Sequence, residues 1–583
     1  MTRRECLALA GAIPLAAAGA PEIDRFFEAF LEKWVRADPE RATAMRMFSG
    51  PEQDRLDGRL TDISDEAAHA RISLAKEGLA GLRKFDRAKL TPEQRLSADM
   101  FEYQLNDVIA EEPYLVYDFR LNQFRGVQVE LPTLLTDLHP MRDTRDAENY
   151  LLRLQASGPK INVALRMMQD RAKQGIRLPG FIAVETIGQM KRFTQPEPAQ
   201  NILVTSFAGR LQKIDSIDPA RKLALTSNAE KIVRESVYPA YHRAIDGLAT
   251  ENAKATEDAG LWRLPKGLDA YAFYLRRFTT TDLTAEEIHR KGLEEVARIE
   301  AEMDTLFRKL GYNNGTIIER WQKLQADNYY PNGPDVRARV LADYEKILAR
   351  NNERSLEAFD RRPKANCIVQ RIPEFQESNA AANYSGPPKD GSRPGIFRVP
   401  LPGPRFSRAG MATLTAHEAI PGHHFQTALQ VEMTSLPTFR RQGGFGVMSA
   451  FGEGWGLYAE RLASELGWYK EDPVSDIGRL DGELFRARRL VVDTGLHAQR
   501  WTRKQAVDYG IRQGEVDRYV MMPGQACSYK IGQMKILELR EEARKTLGAK
   551  FSLKEYHNLV LGNGRLPLTL LERTVRDWAK SRA

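Results

Sequence analysis

Apolar residues return at helical spacing along most of this chain, and that pattern leaves room for little besides packed helices. The stretch 283–310 shows it well. Thr284 and Glu287 have capping-box spacing, and Ile288, Val296, Ile299 and Met303 recur near the helical period. The same reading predicts helices over 24–36, 146–175, 218–248, 334–351, 472–501 and 525–547. Asp472 can cap the fifth of these, and Pro473 suits its first helical position. Only the Pro- and Gly-rich region 361–404 departs from the pattern, and within it residues 395–401 read as a strand. No repeat, low-complexity linker or shift in composition marks a boundary. The expected fold is therefore mainly α, one continuous helical domain over residues 19–583 with a small sheet, and 583 residues suffice for a large core.

Charge narrows the partners. A formal net charge of +8 is small for this length, and the basic residues are interspersed with acidic ones along helical segments. Nucleic-acid binding would need a dense basic stripe, so none is expected. At the N-terminus, Arg3 and Arg4 precede an apolar run from Cys6 to Ala18 that is too short to span a bilayer but suits an export signal. Residues 1–18 are read as a signal peptide of the twin-arginine type, cleaved after Ala16-Ala17-Ala18 in preference to Ala18-Gly19-Ala20, where Pro21 follows. The mature protein is then expected outside the cytoplasm, periplasmic or extracellular, with no stable membrane insertion. Cys6 is not placed like a lipoprotein cysteine. Cys367 and Cys527 are too few for a disulfide scaffold and could pair or stay buried.

The most unusual segment is Thr415-Ala416-His417-Glu418-Ala419-Ile420-Pro421-Gly422-His423-His424-Phe425-Gln426. A catalytic zinc needs three protein ligands, an open position and a nearby carboxylate base. In the H-E-x-x-H form both histidines share one helix face, but here the spacing is longer. In a straight helix His423 lies about 240° round from His417, and His424 lies about 10.5 Å further along the axis. Pro421 and Gly422 can supply the break that brings a second imidazole back beside the first. His423 is favoured over His424 as the second ligand. Downstream, Phe451-Gly452-Glu453-Gly454-Trp455-Gly456-Leu457-Tyr458-Ala459-Glu460 places Glu453 and Glu460 seven apart on one helical face. Glu453 is expected as third ligand and Glu460 as a carboxylate orienting a ligand histidine.

These residues resemble the domain-of-unknown-function 885 family, whose hallmark is His-Glu-x-x-Pro-Gly-His-His followed by Glu-Gly-Trp-x-x-Tyr-x-Glu. Asp390-Gly391-Ser392-Arg393-Pro394-Gly395, Asp493-Thr494-Gly495-Leu496-His497, Asp517-Arg518-Tyr519 and the run from Pro523 to Lys530 fit it too, as do Leu261–Pro265 and Thr279–Thr284. The resemblance implies a large helical metallopeptidase-like fold with a small active-site sheet, broadly similar to angiotensin-converting enzyme and thimet oligopeptidase. It implies a reaction class, metal-assisted hydrolysis, and not a substrate; hydrolysis of peptide bonds in small peptides is the expected activity. One zinc ion on His417, His423 and Glu453 would acidify a water, and Glu418 would take its proton and pass it to the leaving amine. His497, Tyr519 and Tyr529 are the candidates to stabilise the oxyanion. The 395–401 strand could pair with a peptide main chain, and Arg393 or Arg518 could hold a substrate carboxylate. A metal-dependent amidase acting on other amide conjugates, or a metal-binding protein without catalysis, are the alternatives. Glu418 speaks against the last, since a purely structural site has no use for a base beside its first ligand.

Overall fold

The computed structural model describes residues 22–374, 377, 381–388 and 393–583. The proposed signal segment, Cys6 and residues 390–392 lie outside the described residues. The chain is mainly helical, with one three-stranded sheet. The helices that matter for the site are α1 (Glu22–Arg36), α2 (Thr144–Lys173), α3 (Ala285–Lys309), α4 (Val336–Arg354), α5 (Met411–Glu418), α6 (His423–Glu432), α7 (Ser449–Glu465), α8 (Pro473–His497), α9 (Gln513–Met521), α10 (Ser528–Leu547) and α11 (Leu553–Gly562).

Local chemistry sets their ends as the sequence suggests. Thr284 and Glu287 form a reciprocal capping box on α3, and Asp472 accepts from the Ser475 N–H while Pro473 opens α8. The expected 218–248 helix runs as three segments, with a π-helical turn at Val233–Val237 between Pro219–Ile232 and Tyr238–Asn252. Pro239 lies two residues beyond the end of that turn, where a proline leaves a helical carbonyl without its usual donor.

Three bodies of apolar side chains meet on α8. Phe27, Phe30 and Trp34 of α1 join Phe101, Phe439 and Phe445 in one, which also holds Trp455, Phe425 and Leu490. Tyr150 and Leu154 of α2 belong to a second, which reaches Val492, Leu496 and Tyr519. Ile299 and Met303 of α3 pack on Ile477, Leu480 and Leu484 in a third. A helix buried on three sides should be apolar all round, yet α8 carries Arg479 and Glu483. Their charges are neutralised inside. Glu483 lies 2.6 Å from Lys530 of α10, 2.9 Å from Arg479 and 2.7 Å from Arg298 of α3. Burial alone would raise the Glu483 carboxyl, but Lys530, Arg479 and Arg298 hold it at about 2.

The sheet has the order β1 (Cys367–Arg371), β3 (Gly395–Val399), β2 (Asn383–Ser385). β1 runs parallel to β3, pairing Cys367 with Gly395 through Arg371 with Val399, and β2 runs antiparallel, pairing Tyr384 with Phe397. This corrects one expectation. The 395–401 strand is central, its main-chain groups are taken on both sides, and it has no free edge for a peptide. The open edges belong to β1 and β2. Cys367 and Cys527 are both free thiols.

Candidate metal centre

The helix that carries His417 stops where the sequence breaks it. α5 ends at Glu418, and α6 restarts at His423 after a cis Ile420–Pro421 peptide. Thr415 O accepts from both Ala419 N (2.9 Å) and Ile420 N (3.1 Å), and His424 N reaches Ala419 O at 3.1 Å. The carbonyls released by the break are taken up from outside: Asn351 of α4 donates to Ile420 O at 3.1 Å, and the Trp455 indole donates to Pro421 O at 2.9 Å. Gly422 is needed for closeness and not for a left-handed backbone. Its φ is −80°, but a Cβ there would sit 1.8 Å from His417 O.

The break turns His423 back onto His417. Their rings stand 4.8 Å apart between centroids, nearly perpendicular at 86°. Glu453 of α7 completes a cluster, its Oε2 3.9 Å from His417 Nε2 and 3.7 Å from His423 Nε2. One donor atom from each of the three residues lies within 4.8 Å of the others. His424 points elsewhere, its Nδ1 2.8 Å from the Tyr384 hydroxyl of β2.

The seven-residue spacing of Glu453 and Glu460 has a physical meaning here. Both carboxylates rise from the same face of α7 and take opposite sides of one imidazole. Glu460 Oε1 binds His417 Nδ1 at 2.7 Å while Glu453 faces Nε2. The ring lies flat against the helix between them because position 456 is glycine. A Cβ there would come within 2.6 Å of His417 Cε1. Glu460 thus fixes the tautomer that leaves Nε2 free to bind a cation.

Charges follow the geometry. Burial, with His423 and Arg486 nearby, drives His417 well below its ordinary value and keeps it neutral. His423 resists burial and is raised by the carboxylate of Glu453. Burial pushes Glu453 up, but the hydrogen bond and charge of His423, with His417 and Arg489, hold it at about 2. Glu418 is the opposite case. It is buried with no cation bound to it directly among the described residues, and burial lifts it to about 7. Glu453 is thus held low, while burial raises both Glu418 and Glu460 to about 7.

The donor set fits a divalent cation. Two imidazole nitrogens and a carboxylate oxygen are the ligands of a catalytic zinc with one open position. Ligands at about 2.1 Å in a tetrahedron stand about 3.4 Å apart, so distances of 3.7 and 3.9 Å close with shifts of tenths of an ångström. Glu453 and His423 keep 28% and 16% of their side-chain surfaces exposed, so the cluster is reachable from solvent.

The other residues singled out by the sequence separate into two groups. His497 is fully buried, accepts from Leu261 N at 3.1 Å through Nδ1, and donates Nε2–H to Tyr519 O at 3.1 Å. Both ring nitrogens are committed to the main chain, so the expectation that it donates to an oxyanion is corrected: it ties α8 to α9. Arg393 is exposed, and its side chain donates to the carbonyl of Pro394 at 3.2 Å, its one side-chain bond among the described residues. Tyr519 and Tyr529 instead flank Arg489, whose guanidinium lies 5.8 and 4.4 Å from their ring centres. Tyr519 is 1% exposed, and its hydroxyl has no partner among the described residues. Arg518 spends its ends on Gln525 (2.7 Å) and Glu515 (3.1 Å). Sequence reasoning missed Arg486, Arg489 and Arg565. The run Phe485-Arg486-Ala487-Arg488-Arg489 reads as a solvated helix face, and only its phase relative to the apolar positions of α8 hints otherwise.

Comparison with known proteins agrees with the family suggested by the motifs. The family described as "Bacterial protein of unknown function (DUF885)" matches residues 39–575. The chain belongs to this family. No curated protein matches it. Among solved structures it is similar to a "putative lipoprotein" from Colwellia psychrerythraea, 29% identical over 96% of this chain and 99% of that one, with a TM-score of 0.90. It also shares its fold with a Shewanella oneidensis protein described as "a putative lipoprotein of unknown function", at 18% identity, a TM-score of 0.70, and coverage of 95% and 99%.

Proposed function

We propose that this member of the DUF885 family is a zinc-dependent hydrolase that cleaves peptide bonds in small peptides. One observation carries the reading: His417, His423 and Glu453 converge around a point that the buried Glu418, its carboxyl raised to about 7, adjoins in sequence. A divalent cation held by these three residues supplies Lewis acidity to a carbonyl and makes water acidic enough to attack near neutral pH. Glu418 accepts the proton of the attacking water. As the C–N bond breaks, that proton passes to the departing amine, so one water is consumed and an acid and an amine are released. Glu460 holds the His417 ring in register through Nδ1. Tyr519 and Tyr529 are the hydroxyl donors the chain offers to negative charge growing on the carbonyl oxygen.

The export reading has support from the two structural relatives, both described as a "putative lipoprotein". No helix among the described residues is long and apolar enough to cross a membrane. We place the protein outside the cytoplasm, and mass spectrometry of its N-terminus from the native host tests this, an intact Met1 or Thr2 start ruling cleavage out.

The function is tested by incubating the purified protein with a peptide and amide library, with and without a chelator, and reading products by mass spectrometry. Chelator-sensitive cleavage of peptides, lost in Glu418→Gln with zinc still bound, is the expected result. Cleavage confined to non-peptide amides would move the substrate class. Turnover unchanged in Glu418→Gln would overturn the mechanism.

A further inference from the structure

Two opposite charges share one cavity without meeting. The cavity, about 590 Å³, lies between α8 and the helix Ile317–Asp327, and its size suits a small ligand. Asp481 and Arg486 of α8 both line it. They stand five residues apart, about 7.5 Å along the helix axis. Helical side chains pair at three or four residues, so the fold keeps these two apart. No hydrogen bond reaches the Asp481 carboxylate among the described residues, and burial lifts it to about 6 against the pull of Arg488 and Arg486. Arg486 gives Nη1 to Gly482 O at 3.1 Å and has no carboxylate within 4.0 Å among the described residues. Both side chains are partly buried. Charges withdrawn from water are ordinarily paired, so each of these calls for a partner from outside.

The other walls narrow the ligand's chemistry. Arg488 is committed to Glu300 at 2.9 Å, while the exposed Arg512 adds a positive charge on the side of Arg486 in the balance. From the facing helix, Ile318 keeps 45% of its surface exposed beside the half-buried Trp321. One wall is therefore apolar, and the other carries both signs of charge. A simple anion would meet Asp481, and a simple amine would meet the arginines. A short peptide with free ends fits both, having an ammonium at one end, a carboxylate at the other and side chains between. Two residues of extended chain span at most about 7 Å, close to the axial offset of Asp481 and Arg486. The planar guanidinium also matches carboxylate geometry. Gly482 fixes where the cavity lies: a Cβ there would sit 3.3 Å from Glu460 Oε2, the carboxylate that supports His417. None of His417, Glu418, His423 and Glu453 lines it.

We propose that this cavity is a second ligand site, separate from the metal centre, that holds a short zwitterionic peptide by both ends. The carboxylate lies on Arg486, the ammonium on Asp481, and apolar side chains pack on Ile318 and Trp321. Calorimetry of the full-length protein kept in chelator reads this site alone, with no metal bound and no turnover. The probes are leucyl-phenylalanine, its N-acetyl form, its C-terminal amide and the form blocked at both ends. The free dipeptide is expected to bind about 10- to 100-fold more tightly than either singly blocked form, the range of one charge-assisted hydrogen bond, with the doubly blocked form weakest. Arg486→Gln should erase the preference for acid over amide and keep that for amine over acetyl. Asp481→Asn should do the reverse. Equal binding of the four probes, no binding of the free dipeptide, or a preference that survives its own variant would overturn the proposal. So would a uniform weakening of all four probes in either variant, the sign of a merely structural role. If one variant does not fold, the four-probe comparison on wild type and the other variant still decide. Because no bond is cut in these measurements, failure of the hydrolase reading leaves them untouched, and their failure leaves the hydrolase reading standing.

Discussion

Removing Glu460 tests whether the geometry behind the metal centre matters. The carboxylate is 2% exposed, and its Oε1 holds His417 Nδ1 at 2.7 Å, so no water can take over the contact without a cavity being opened for it. In Glu460→Ala the His417 ring loses the acceptor that selects its tautomer, and the proton can move to Nε2, the atom that faces Glu453. Losing such a partner costs about 10- to 100-fold in metal affinity, which is about 1.4 to 2.7 kcal/mol. Glu460→Gln keeps an amide oxygen able to accept from Nδ1–H and should lose no more than about tenfold. Competition against a chromophoric zinc chelator at pH 7.4 reads the dissociation constants directly, and near-UV circular dichroism checks that packing survives. Wild-type zinc affinity in Glu460→Ala, with packing intact, would refute the idea that Glu460 orients a ligand.

Other parts of the structure make equally specific expectations. Gly456→Ala places a methyl carbon 2.6 Å from His417 Cε1, so the ring must move, and zinc affinity should fall by at least about tenfold in the same competition assay while the protein stays folded. Lys530→Met leaves Glu483, 1% exposed, with Arg479 and Arg298 as its remaining partners and should cost less in urea unfolding than the about 3–5 kcal/mol of an uncompensated buried charge. Glu483 is held at about 2 when folded, so its pairing stabilises the protein above the unfolded carboxylate range and is lost as pH falls through about 2. Wild type should therefore lose stability towards low pH more steeply than the variant. Asp493 has the opposite sign. Burial lifts it to about 7 despite its bonds from Tyr271 (2.7 Å) and Gly524 (2.9 Å). The folded state then keeps a proton that the unfolded chain releases, and stability present below pH 4 is lost as pH rises towards 7. Asp493→Asn should melt higher than wild type at pH 8 and little differently at pH 4; equal melting at both would refute this.

How much of this was legible in the residues depends on the range of the interaction. Helix starts such as Thr284-Glu287 and Asp472-Pro473 are local, and the structure has them where their chemistry puts them. The break at Pro421-Gly422 is local too, and so is the shared face of Glu453 and Glu460. The expected gathering of His417, His423 and Glu453 needed only one further fact, that α7 packs against α5, which the glycine at 456 permits. His497 misled because a lone histidine motif looks the same whether its nitrogens face a cleft or two main-chain groups; only the packing of α8 on α9 separates them. Strand order in the sheet is a long-range property, and nothing in residues 395–401 says that both neighbours will pair with them. Arg489 was hidden for a related reason. Its charge reads as solvent-facing, and its burial depends on Phe485, Tyr529 and Glu515 arriving from two separate helices and its own.

The central claim is that one helix break brings two imidazoles and a carboxylate around one cation. Crystals of the full-length protein grown with zinc, with diffraction recorded on both sides of the zinc absorption edge, test it directly. A single anomalous peak bonded at about 2.0–2.2 Å to His417 Nε2, His423 Nε2 and a Glu453 oxygen is the expected result. A zinc-loaded crystal with no peak there, or with the ion on His424 instead of His423, would contradict it.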